Sequence, residues 1–108
     1  MTGFDNREKG FEAKFSHDED TKFRIRSRRN KLFGLWVAKA FGLTGPAAET
    51  YATDVVAADM DRPGDDDMFE KIMADVASRG AKLDLVTLKK ELAAFEVTAR
   101  DQILADKK

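Results

Sequence analysis

The stretch Asp59–Glu70 has a spacing that could hold a metal ion. Asp59, Asp61, Gly64, Asp67 and Glu70 fall at positions 1, 3, 6, 9 and 12 of a calcium loop lying between two helical stretches. Carboxylates at those offsets can converge on a hard cation. Two positions disagree: position 5 is Pro63, which has no side-chain oxygen, and position 8 is Asp66, where an apolar anchor normally sits. A Pro-Gly turn running into an acidic helix cap accounts for the same residues without an ion, so no metal is expected. The single histidine, His17, adjoins Asp18, but acid–base catalysis needs a pocket and a third group. There is no phosphate loop, nucleophile elbow or metalloprotease pair. The chain is therefore expected not to be an enzyme and to carry no cofactor.

A second set of chemically capable residues is cationic. Lys22, Arg24, Arg26, Arg28, Arg29 and Lys31 follow one another with no acid among them. Such a run can neutralise phosphates. The overall net charge of −1 argues against nucleic acid. What remains is contact with an acidic protein surface, or weak capture of nucleotide phosphates. The charge is also divided along the chain. Residues 1–43 carry ten Lys/Arg against six Asp/Glu, and residues 44–108 carry nine against fourteen, so the halves are +4 and −5.

The third set is apolar. Phe4, Phe11 and Phe15 are seven and four residues apart, which at about 100° per residue aligns them within roughly 20° on a helix. Asp5, Arg7, Glu8, Glu12 and Lys14 surround that line with mixed charge. So narrow a stripe cannot form a core, and Gly10 costs about 1 kcal/mol of helix propensity against Ala. Ordering about fifteen residues costs on the order of 1 kcal/mol or more each, whereas three buried Phe return about 5–9 kcal/mol. Residues 1–17 are thus expected to be a disordered arm that becomes a helix in a partner's groove.

The elements behind these sets are helical. At 108 residues the chain makes one domain with a modest core. Hydrophobic residues at 43 % and charged residues at 36 % suit a small, helix-rich soluble chain. The absence of cysteine excludes a disulfide framework and zinc–thiolate chemistry. No run of 18 apolar residues occurs and the start does not read as a signal peptide, so a cytoplasmic location without membrane insertion is expected. A first helix is expected over 18–42, with Ile25, Leu32, Trp36, Ala40 and Leu43 on one line and Phe33, Val37 and Phe41 on the next. Its half from Leu32 is apolar nearly all round and should be the most buried, with Gly34 suiting close packing. Gly42 and Gly45-Pro46 end it and start a second helix that runs to about Met60, with Ala48, Tyr51, Ala52, Val55 and Val56 inward. A third is capped by Asp65, Asp66 or Asp67, carries Phe69, Ile72, Met73 and Val76, and stops at Gly80. Asp84 caps a fourth with Leu85, Leu88, Leu92, Phe95, Ala99 and Ile103 inward. The fold class is all-α: a small four-helix bundle over 18–108 with a disordered N-terminal arm.

The blocks Phe4-Asp5-x-Arg7-Glu8, Phe11-Glu12-x-Lys14-Phe15-x-His17-Asp18 and Arg28-Arg29-Asn30-Lys31-Leu32-x-Gly34-Leu35-Trp36, with Tyr51-Ala52, Val55-Val56, Asp59 and Pro63-Gly64, make the chain similar to the zeta subunit of alphaproteobacterial F-type ATP synthases. Thr21 departs from that family's usual apolar residue, and Arg26 from a common acid. The resemblance implies an inhibitor of ATP hydrolysis, peripheral to the inner membrane through the synthase. Its arm enters a catalytic α/β interface near the rotor, becomes helical there and spares synthesis. It implies Phe4, Phe11 and Phe15 as anchors and Asp5, Arg7, Glu8, Glu12 and Lys14 as polar contacts. Arg24, Arg28 and Arg29 would lie on a face that docks or steers. A different class, a small bundle sensing a nucleotide or an ion, is the alternative.

Overall fold

The computed structural model describes residues 19–59 and 64–106. The expected arm, with His17, Asp18 and the three aligned Phe, lies outside the described residues, as do Asp61 and Pro63. The described elements are four helices: α1 Glu19–Ala40, α2 Gly45–Ala58, α3 Asp66–Arg79 and α4 Leu85–Asp106. The all-α, four-helix reading of the sequence is the observed architecture.

Each boundary has a local cause. Glu19 and Asp20 occupy the first turn of α1, where the helix dipole favours negative charge. At its other end Gly42 takes φ 84°, and the Leu43 and Gly42 N–H groups donate to the Ala38 and Lys39 carbonyls, each at 2.9 Å. Gly80 closes α3 in the same way at φ 66°. The Asp84 carboxylate accepts the Thr87 N–H at 2.8 Å and caps α4. That bond holds its carboxyl below the usual range. Asp65 stands at the N-cap position of α3 but makes no capping bond. Its carboxylate turns to α1 instead.

The central element is α1, which packs against both α2 and α4, while α3 follows α2 as a hairpin. The point of closest approach is Gly34, because a Cβ added there would lie 2.8 Å from Ala52 Cα and 3.2 Å from Val55 Cβ. Gly34, Phe33, Val37 and Ala38 are therefore the buried face of α1. Of the two apolar lines the sequence offers, the one through Phe33 and Val37 faces the core. Trp36 and Leu32 are half-buried, Ala40 is exposed, and Trp36 stacks on Phe33 with ring centroids 6.2 Å apart. Where a helix is apolar all round, the side without a Cβ wins because it lets a neighbour in. Phe33 also meets Phe69 of α3 edge-on at 6.3 Å.

The rest of the core comes from Tyr51 and Val55 of α2, Met68, Ile72 and Val76 of α3, and Leu88 and Leu92 of α4. Met68 was not expected inside, yet it is fully buried, one turn before Ile72 on the same face. Leu85 was expected inside but is 39 % exposed, being the first residue of α4 and one turn ahead of buried Leu88. Tyr51 closes the α2–α3 pair by donating to Asp75 at 2.7 Å. Burial first, then the Asp75 bond, pushes its phenol far above the usual tyrosine range.

Gly34→Ala is expected to destabilise the bundle by about 1–3 kcal/mol through overpacking against backbone. This loss exceeds the gain of about 1 kcal/mol in helix propensity. Urea unfolding checks it. A more stable variant would mean that α1 and α2 can separate without loss.

Candidate functional site

The functional residues that can be placed begin with the basic run, and helical geometry divides it. Positions 22, 25, 26 and 29 share one side of α1, and positions 24, 27, 28 and 31 share another. The first side turns toward the end of α2, the 64–65 turn and α4. The other side faces α2 and the last turns of α4.

At the centre of the first side is Asp59, which follows the last residue of α2 and is 1 % exposed. A negative charge at a helix C-terminus opposes the dipole, and burial makes that worse. Three donors compensate on one oxygen. Asp59 Oδ2 accepts from Arg26 Nε at 2.8 Å, Asn30 Nδ2 at 2.6 Å and Arg29 Nη2 at 3.3 Å. Oδ1 is buried, with no hydrogen-bond partner among the described residues. Arg26 Nη2 also donates to the Asp59 and Gly64 carbonyls at 2.8 and 3.2 Å, tying both ends of the inter-helix connection to α1. Arg29, only 12 % exposed, reaches Asp65 at 2.8 Å and Glu96 of α4 at 3.3 Å.

Charges this close displace one another's titration. The hydrogen bond to Asp59 is the main cause raising the Arg26 guanidinium above its ordinary value, so it is charged at all working pH. Burial raises the Asp65 carboxyl; Arg29 pulls it down, and neighbouring Asp59 adds to the rise.

Beside the cluster runs an open groove of about 680 Å³, with Ile25 and Leu104 as apolar surface and Lys22, Arg26, Arg29 and Arg100 around them. Asp65 and Glu96 also line it, so it is not uniformly positive. On the other side of α1 the cations stay at the surface. Arg24 pairs with Asp20 at 3.0 Å and Lys31 with Glu49 at 3.1 Å. Arg28 donates to the neutral amide of Gln102 at 2.6 Å.

These placements sort the expected site residues. Arg24 and Arg28 are accessible. Arg29 is turned inward and holds the connection between α2 and α3. Asp59 of the calcium-loop pattern faces two guanidinium groups, which would repel a cation, and Asp61 is outside the described residues. Among the described residues no three His, Cys, Asp or Glu gather as metal ligands. Asp5, Arg7, Glu8, Glu12 and Lys14, like the Phe they flank, are outside the described residues. Sequence reasoning overlooked Arg26, Asn30 and Thr21 as inward-facing. A charge at the wrong end of a helix, opposite cations spaced i, i+3, was the available signal for Arg26.

The family model described as ATPase inhibitor subunit zeta matches residues 1–102. The chain belongs to the ATPase inhibitor subunit zeta family. A protein known from its solution NMR structure shares the fold seen here. It is 30 % identical with a TM-score of 0.70, and the match covers 79 % of this chain and 96 % of that chain. No curated protein matches the chain. A place among zeta inhibitor subunits makes the chain regulatory rather than catalytic. None of the described helices is long and apolar enough to cross a membrane.

Asp59→Ala is expected to destabilise by about 3 kcal/mol, because two cations lose the charge that balances them. The lower end of the buried-pair range applies, since the Arg26 side chain is 36 % exposed. Arg28→Ala should cost under about 0.5 kcal/mol. Equal losses in urea unfolding would contradict this division of the run.

Proposed function

We propose that this chain inhibits ATP hydrolysis by the F-type ATP synthase. Residues 1–17 form the inhibitory arm and fold as a helix into a catalytic α/β interface. They block rotation in the hydrolytic direction and spare synthesis. Residues 18–108 are the bundle that carries the arm. The family match beginning at residue 1 is the observation behind this reading, because it includes the stretch where Phe4, Phe11 and Phe15 align. An apolar line flanked by Asp5, Arg7, Glu8, Glu12 and Lys14 is the pattern of a helix that gains its shape in a groove. In that role the three Phe are anchors, the charged neighbours form the rim, and Arg24 and Arg28 steer approach. The protein would sit in the cytoplasm, against the inner membrane through the synthase alone.

A second reading rests on the groove beside the buried cluster. Its cations and apolar surface suit weak capture of a nucleotide, with phosphates toward Lys22 and Arg100 and the base against Ile25 and Leu104. That binding would modulate the inhibitor and would require no catalysis.

ATPase activity of the cognate head tests the first reading. Removing residues 1–17 is expected to abolish inhibition, and changing Phe11→Ala and Phe15→Ala together to weaken it by about 2–4 kcal/mol, while circular dichroism reports an intact helical bundle. Full inhibition by the double variant rejects these anchors. For the nucleotide reading, ADP titration should move the amide signals of Lys22, Ile25, Arg100 and Leu104, less so as salt rises. Unmoved signals at millimolar ADP dismiss it.

A further inference from the structure

The side of α1 that carries Arg24 and Arg28 borders a groove that the buried cluster does not explain. Its volume is about 490 Å³, and it lies between α1, the later part of α2 and the end of α4. Exposed Phe23, half-buried Val56 and the edge of largely buried Ile103 supply its apolar surface, Ser27 and Thr53 add hydroxyls, and Arg24, Arg28 and Lys31 form its edge. Among the described residues no carboxylate lines it, in contrast to the groove on the other side of α1. Phe23 is 55 % exposed, a large ring left in water within the first turns of the central helix.

The cations at this edge are only weakly neutralised. In the Arg24–Asp20 pair the side chains are 58 % and 65 % exposed, and in the Lys31–Glu49 pair 39 % and 60 %. Solvent screens such pairs, and a partner's carboxylate can replace either acid at little loss. Arg28 meets no carboxylate among the described residues; its bond is to Gln102. An exposed aromatic beside smaller apolar and hydroxyl side chains, edged by arginines, has the makeup of an interface core with a charged rim. The surface complementary to it is an amphipathic helix with an apolar face and acidic flanks. A nucleic acid is a poorer fit, because Phe23, Val56 and Ile103 interrupt the cationic surface and residues 44–108 carry net negative charge.

We propose that this groove docks an acidic amphipathic helix of the ATPase head, with Phe23 as anchor and Arg24, Arg28 and Lys31 as the clamp. This rests on the reading that the chain binds that head, and it adds a second contact to the one assigned to the arm. Two linked contacts act as a bivalent ligand, so each raises the effective concentration of the other.

The test uses the full-length chain and the cognate ATPase head, with affinity measured at low and moderate salt. Phe23→Ala should weaken binding about tenfold, and Arg24→Glu with Arg28→Glu should weaken it more and flatten the salt dependence. These side chains are at the surface, so circular dichroism and thermal melting should be unchanged. The chain has no cysteine, so Phe23→Cys labelled with a photo-activated benzophenone gives a single crosslinking point. Capture of an acidic helical segment of the head supports the proposal. Capture of a basic or irregular segment overturns it. If the groove variants bind like the parent while the Phe11→Ala, Phe15→Ala variant is weakened, the groove proposal fails and the arm reading stands. If only the groove variants are weakened, the groove stands and the arm anchors fail. If the parent does not bind the head, both fall. Loss of binding to anionic vesicles or RNA in the groove variants, with head affinity unchanged, also overturns the proposal.

Discussion

A buried carboxylate at the negative end of a helix is the constraint on which this structure turns. Asp59 sits where the α2 carbonyls already concentrate negative potential, and it has almost no access to water. Only cations and donors brought to it can hold it there. Arg26, Arg29 and Asn30 come from one side of α1, and through Arg29 the same cluster reaches Asp65 at the start of α3 and Glu96 on α4. One charge thereby ties all four helices together at one end of the bundle. Removing a single partner from such a group costs more than the group as a whole contributes, because the remaining charges stay buried.

The opposite device operates farther along α1. At Gly34 the two backbones meet with no side chain between them, and Phe33, Val37 and Ala38 fill the space on either side. Dispersion and burial do there what charge does at the other end. Because α1 is gripped by apolar packing in one half and by ions in the other, its remaining two flanks at the N-terminal half stay open as grooves. One is lined by acids as well as bases; the other has a cationic edge whose Arg24 and Lys31 pair with exposed Asp20 and Glu49.

This division suits a protein that regulates by contact. A rigid bundle gives its partner-facing residues fixed positions at low entropic cost, whereas a segment that orders on binding spends part of its contact energy on ordering. In the proposed inhibition, a cationic edge a few residues after the arm would let early electrostatic contact guide the slower insertion of aromatic side chains.

Much of this was legible in the order of residues. The 3.6-residue period marked four helices, Gly42, Gly80 and Asp84 marked their ends, and both Phe blocks carried the family resemblance. Those features are local, so neighbouring residues suffice to define them. What the order of residues could not decide was which cations are surface and which are interior. Arg24, Arg26, Arg28 and Arg29 are alike in the chain, and only the position of Asp59, 33 residues beyond Arg26, separates them. The same holds for Trp36 against Gly34, and for Met68 and Leu85. A helix apolar on several sides has no preferred interior until another helix arrives. Composition and spacing set the elements and their ends. Long-range packing and the need to balance one buried charge chose the faces.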